Sequence, residues 1–93
     1  MKALWNGQVI AESDNTIVVE NHLYFPQESV NFDFLQKNGR KTEGDWKGES
    51  VFYDIVVGDQ TNFDAAWTCD NPTPQAQHIE GRVAFADTVE IVE

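Results

Sequence analysis

Cysteine occurs once in the 93 residues, at Cys69, so the chain forms no internal disulfide and no cysteine-based zinc site. Basic residues are scarce: six stand against sixteen acidic ones, for a net charge of −10. Such a surface lacks the positive field that nucleic-acid phosphates or an anionic membrane require, so neither a nucleic-acid polymer nor a membrane is expected as a partner. No apolar run approaches membrane-spanning length, and Met1 to Gly7 reaches a turn at once, without the apolar core of a secretion signal. The expectation is a soluble, cytoplasmic protein. The two histidines, His22 and His78, are far apart and make no metal-ligand spacing, so neither a metal nor a cofactor is expected. A glycine-rich phosphate loop is missing, and Ser13, Ser29 and Ser50 have no nucleophile-elbow context. Cys69 beside Trp67 reads as a buried, inert thiol. Repeats, linkers and low-complexity segments are also absent, and the length fits one domain over residues 1–93.

What is present centres on residues 44–58. From Val51 the odd positions Val51, Tyr53, Ile55 and Val57 form an apolar strand face, and Phe52 and Val56 make the other face half-apolar. The pattern predicts a central strand covered on both sides. Asp54 interrupts it, either as a carboxylate satisfied by water or neighbouring backbone, or as a site residue. Ahead of the strand, Gly44 and Gly48 bracket Asp45-Trp46-Lys47. This loop offers an aromatic face and a cation together, which suits a planar or anionic ligand, although Trp46 as a plug on the core reads equally well. Lys37, Arg40, Lys41 and Lys47 form the one local positive segment, read as a solvated loop or as the place an anion would go.

Along the chain, Asn6-Gly7 predicts a hairpin between strands at Lys2 to Trp5 and Gln8 to Ala11, because both turn residues tolerate positive φ. Ser13-Asp14-Asn15 is a turn, Thr16 to Glu20 a β-branched strand, and Asn21 turns the chain into His22 to Phe25. A short helix is predicted over Val30 to Lys37, capped by Ser29 and stopped by Asn38-Gly39. Gly58-Asp59-Gln60 turns the central strand, Asn62-Phe63-Asp64 reads as irregular, and Ala65 to Cys69 as a strand with Ala65, Trp67 and Cys69 on one face. Pro74 to Glu80 is one or two helical turns. Arg82 to Phe85 and Val89 to Val92 close the sheets. The sum is a mainly β domain of eight or nine short strands with one or two short helices, its antiparallel sheets folded on themselves.

The sequence Leu4-Trp5-Asn6-Gly7, followed by Tyr24-Phe25-Pro26, Trp46-Lys47-Gly48, Tyr53-Asp54, Ala65-Ala66-Trp67 and Ile79-Glu80-Gly81-Arg82-Val83-Ala84-Phe85, resembles the mostly bacterial domain of unknown function family 427. The resemblance covers nearly the whole chain. It implies a β-tent-like fold, two antiparallel sheets packed at an angle, and no established activity. The family also carries a nucleotidyltransferase-like label, but the Gly-Ser and Asp-x-Asp metal motif of true nucleotidyltransferases is missing here. Many relatives have Cys-Pro ahead of Trp-Lys-Gly and an aromatic pair with proline after Ala-Ala-Trp. Here those places read Gly44-Asp45 and Thr68-Cys69-Asp70, so any role of a cysteine before Trp46 does not carry over.

Three functions compete. The first is a small-molecule-binding domain, monomer or homodimer, with an aromatic pocket between the sheets: Trp46, Tyr53 and Trp67 as walls, Lys47 as the anion contact and Asp54 as a hydrogen-bond acceptor. The second is an enzyme using Asp54 or Asp64 as general base and Lys47 as electrostatic stabiliser. The third is an acidic module that meets a basic protein partner.

Overall fold

A computed structural model of the chain describes residues 1–44 and 47–93. Among the described residues, nine strands make up two antiparallel sheets. A three-stranded sheet orders β2 (Gln8–Glu12), β1 (Lys2–Trp5) and β9 (Glu90–Val92). A six-stranded sheet runs β3 (Ile17–Val19), β4 (His22–Phe25), β8 (Val83–Phe85), β7 (Gln60–Asn71), β6 (Gly48–Val57) and β5 (Leu35–Gly44).

The tight hairpins follow from local chemistry. Asn6 and Gly7 have φ of 52° and 76°, and Trp5 pairs with Gln8 across them. The β3–β4 turn uses Glu20 and Asn21, at φ of 51° and 69°, with Val19 opposite His22.

Three segments differ from the sequence expectation. No helix forms over Val30 to Lys37. Two single 3₁₀ turns, Gln27–Ser29 and Phe32–Phe34, lead straight into β5. The Asn31 side chain accepts from the Asp33 N–H, and the Asn31 N–H donates to the Ile10 carbonyl at 2.8 Å, which ties Val30 to β2 instead of starting a helix. Asn38-Gly39 is then a kink inside β5, where the β5–β6 register shifts and Gly39 takes φ of 83°. The segment read as irregular, Asn62 to Asp64, lies inside β7, with Asp64 at φ of 54°.

The alternation along the strands divides the large sheet into two faces. Phe25, Ile55, Ala65, Ala66, Val83 and Phe85 pack with Ala3, Ile10 and Ala11 of the small sheet and with Val30. Tyr24, Cys69 and Ala84 point the other way, onto Val19, onto Ala76 and Ile79 of a 3₁₀ helix at Pro74–Ile79, and onto Trp67. Ala65 therefore does not share the face of Trp67 and Cys69, because the β6–β7 register slips between Tyr53 and Ile55. On the odd face of β6, Val51 and Ile55 are buried and Tyr53 and Val57 half-buried; on the even face Ser50 is buried and Phe52, Asp54 and Val56 are half-buried. Ser50 and Phe52 of this second face line the cavity described next.

Among the described residues, no helix is long and apolar enough to cross a membrane.

Candidate functional site

The β3–β4 and β5–β6 hairpins belong to opposite ends of the large sheet, separated by β8 and β7. Sheet twist accumulates strand by strand and curls the sheet toward one face. The curl brings Lys47 Nζ to 3.7 Å from the Glu20 carboxylate, across the concave side. Between them lies a cavity of about 520 Å³, lined by Glu20, Thr42, Glu43, Gly44, Lys47, Gly48, Ser50, Phe52 and Trp67. All of these belong to the large sheet and its hairpins. This cavity is therefore not between the two sheets, where the sequence led a pocket to be expected, but on the face turned away from the small one, because Phe52 and Trp67 alternate out of the inter-sheet core.

Cross-strand register assembles the floor. Phe52 stands opposite Trp67, and Ser50 opposite Cys69. The Phe52 and Trp67 ring centroids are 5.9 Å apart at 41°. The indole N–H of Trp67 donates to the Tyr24 hydroxyl at 3.1 Å, and the His22 ring meets the indole edge-on at 4.9 Å. Tyr24 is fully buried, so this bond fixes the indole from behind. Lys47 Nζ lies 5.7 Å from the Tyr24 ring centroid, with its side chain only 21% exposed. Burial works against the ammonium's charge, but the Tyr24 hydroxyl and the Glu20 carboxylate outweigh it and raise the Lys47 pKa. Lys47 is thus a cation held at one end of an aromatic floor, with Thr42 and Ser50 also lining the cavity. The Arg40 guanidinium lies 5.1 Å from the Phe52 ring centroid but is paired with Asp64 and does not line the cavity.

Of the five residues singled out from the sequence, Lys47 and Trp67 share this cavity. Trp46 lies outside the described residues. Tyr53 points to the opposite face of β6, where its ring meets Phe32 at 6.0 Å and lines a smaller cavity with Lys37 and Asp70. Lys37 pairs with Tyr53 in register, so the positive segment does not converge: Lys37 and Lys47 line different cavities.

Asp54 serves the fold. Tyr53 pairs with Ala66 and Ile55 with Asn62, so Asp54 alone faces the bulged residues 63–65. Its Oδ1 accepts from the Asp64 backbone N–H at 2.9 Å and from Asn38 Nδ2 at 2.8 Å. Asp64 in turn accepts from Asn38 at 2.6 Å and pairs with Arg40 at 2.6 Å. Neither aspartate lines the large cavity. The Asp54→Ala variant leaves the Asp64 N–H without its acceptor and should lose about 1–3 kcal/mol in chemical denaturation. A fully stable Asp54→Ala protein would contradict the role given to the carboxylate here.

Sequence reasoning missed Glu20, Thr42, Ser50 and Phe52 as cavity residues. One signal was available. Ser50 and Phe52 share the even face of the strand that starts at the Lys47 turn, and this face alternates away from the better-buried odd one. Another was the dipeptide Glu20-Asn21, a turn whose first residue is not the asparagine, aspartate or glycine that such turns favour.

Cys69 is fully buried below the floor, with its Sγ 3.9 Å from Ser50 Oγ. Burial pushes its thiol up, against the opposing pulls of Ser50 and Lys47. Burial, then Asp70, raises the Tyr53 phenol as well. Both acids ionise more readily in the unfolded chain, so the stability they contribute is complete below their unfolded pKa values and is lost as pH rises through the folded ones. Lys47, also raised, loses its favourable charge in the same direction. Thermal midpoints should therefore fall once pH exceeds about 9, and Cys69→Ala should flatten the first part of that fall. An unchanged midpoint up to about pH 11 would contradict this.

A sequence model of the family described as a domain of unknown function, DUF427, matches residues 1–93. No curated protein matches the chain. With the match spanning the whole sequence and the two antiparallel sheets in place, the chain belongs to the DUF427 family.

Proposed function

We propose that this protein binds a small planar metabolite bearing an anionic group, in the concave face of its large sheet. The ring lies against Phe52 and Trp67, the anionic group meets Lys47, and the Thr42 and Ser50 hydroxyls hydrogen-bond the polar edge. The observation that carries the reading is Lys47 itself: a raised-pKa cation, 21% exposed, held beside an aromatic floor. A side chain rich in rotamers is ordered there at an entropic cost that a solvated lysine avoids. The cavity volume of about 520 Å³ lies in the range that suits a small ligand. The binding reading is favoured over the enzymatic one because Asp54 and Asp64, the sequence candidates for a general base, are committed to the β7 bulge.

Calorimetric titration with adenosine monophosphate and with uncharged adenosine tests the reading. The first is expected to bind and the second to bind more weakly, since only the first engages the ammonium. Equal affinities would remove Lys47 as the anion contact.

A further inference from the structure

Glu20 presents a mismatch between residue and backbone. It occupies a left-handed position, φ of 51°, at the start of a two-residue hairpin turn. Glycine and asparagine tolerate that conformation, whereas a glutamate adopts it at a cost. Local strain of this kind is retained where the surroundings or a function over-determine it. The Glu20 side chain does not fold back onto the turn. It reaches across the concave face to Lys47, on a hairpin that is not its sheet neighbour. The two partners are unequal: the Glu20 side chain is 62% exposed and the Lys47 side chain 21%. Glu20 can swing into solvent without disturbing the core, while Lys47 is held by its packing over Tyr24.

We infer that Glu20 is the charge-selecting residue of the cavity: its carboxylate holds the Lys47 ammonium where a ligand's anionic group must bind, and the ligand displaces it. This rests on the cavity reading proposed above. A neutral ring gains nothing from displacing Glu20 and leaves the pair intact. A weakly charged ligand competes poorly, because it exchanges one charged contact for a lesser one. Only a full anion replaces the carboxylate on equal terms, so Glu20 filters ligands by charge. The second lining carboxylate, Glu43, stands on β5 and shares the negative field.

The test compares wild type, Glu20→Gln and Glu43→Gln in titrations with adenosine monophosphate and adenosine. Glutamine keeps the size and backbone preference of Glu20, so the variant should fold. An exposed ion pair is weak, and its loss is expected to tighten adenosine monophosphate about two- to fivefold in Glu20→Gln while leaving adenosine unchanged. Glu43→Gln is expected to change the same affinity less. Equal tightening in both variants would overturn displacement in favour of a general field effect. Unchanged or weaker binding in Glu20→Gln alone, with wild type still binding through Lys47, would overturn the inference and leave the cavity reading standing. Failure of adenosine monophosphate to bind any of the three proteins would overturn both.

Discussion

Gly48→Ala is expected to be the most damaging single substitution in the β5–β6 region. Gly48 has φ of 81°, in the left-handed region, and a Cβ built there runs into the Asn71 carbonyl oxygen and also meets Pro72 Cα and Thr73 N at 3.0 Å. All three neighbours are backbone, so no side-chain rotation relieves the contact. The conformational penalty alone is of order 1–2 kcal/mol, and the displaced backbone adds to it, for a total of about 2–4 kcal/mol. In a domain of this size such a loss lowers Tm by roughly 10–25 °C. Gly44, in the same hairpin, has open space around its Cβ position and no positive φ. Gly44→Ala should melt within a few degrees of wild type. If both variants melted alike, the close approach of the Lys47 hairpin to residues 71–73 would not be what fixes this end of the sheet. The same approach matters for the cavity, because it anchors the turn that carries Lys47.

Lys47→Met carries the second large effect, on affinity. Methionine keeps most of the stem's packing and removes only the ammonium. A hydrogen bond to a charged group contributes about 1.5–3 kcal/mol, so the affinity for adenosine monophosphate should fall about 10- to 150-fold. Adenosine should lose little, because the aromatic floor of Phe52 and Trp67 is untouched. The fold should survive, since the pair with Glu20 that is lost involves a carboxylate that is 62% exposed. Glu20, left without its partner, moves into water. A parallel loss for both ligands would mean that the substitution had reshaped the cavity, and the charge argument would then fail.

Much of the fold was legible because its signals are local. Asn6-Gly7 specifies its turn through the φ tolerance of two adjacent residues, and both adopt the left-handed region. The period of two across Tyr53, Ile55 and Val57 correctly assigned the face that packs into the inter-sheet core. β5 was not legible for the opposite reason. Nine of its ten residues are exposed, so no apolar pattern marks it, and what makes it a strand is its backbone pairing with β6. The bulge at Asp64 was equally hidden. Its acceptor is the Asp54 carboxylate ten residues earlier, on the neighbouring strand, and no local propensity encodes that contact.

The candidate site divides along the same line. Lys47 and Trp67 stood out by residue type, one a cation between glycines and the other an aromatic on a strand. Tyr53 and Asp54 were attractive for the same reason, yet Tyr53 belongs to the other face and Asp54 to the bulge. What joins Lys47 to Glu20 is the curl of a six-stranded sheet, which depends on all its strands together. Residue type names candidates, but their convergence is a property of the whole sheet.

Native mass spectrometry of freshly purified protein, wild type beside Lys47→Met, tests the binding account most directly. The account predicts a discrete small adduct on the wild type, retained or restored on adding adenosine monophosphate, and sharply reduced in Lys47→Met. A bare protein mass for both, unchanged across a panel of planar anions, would contradict it.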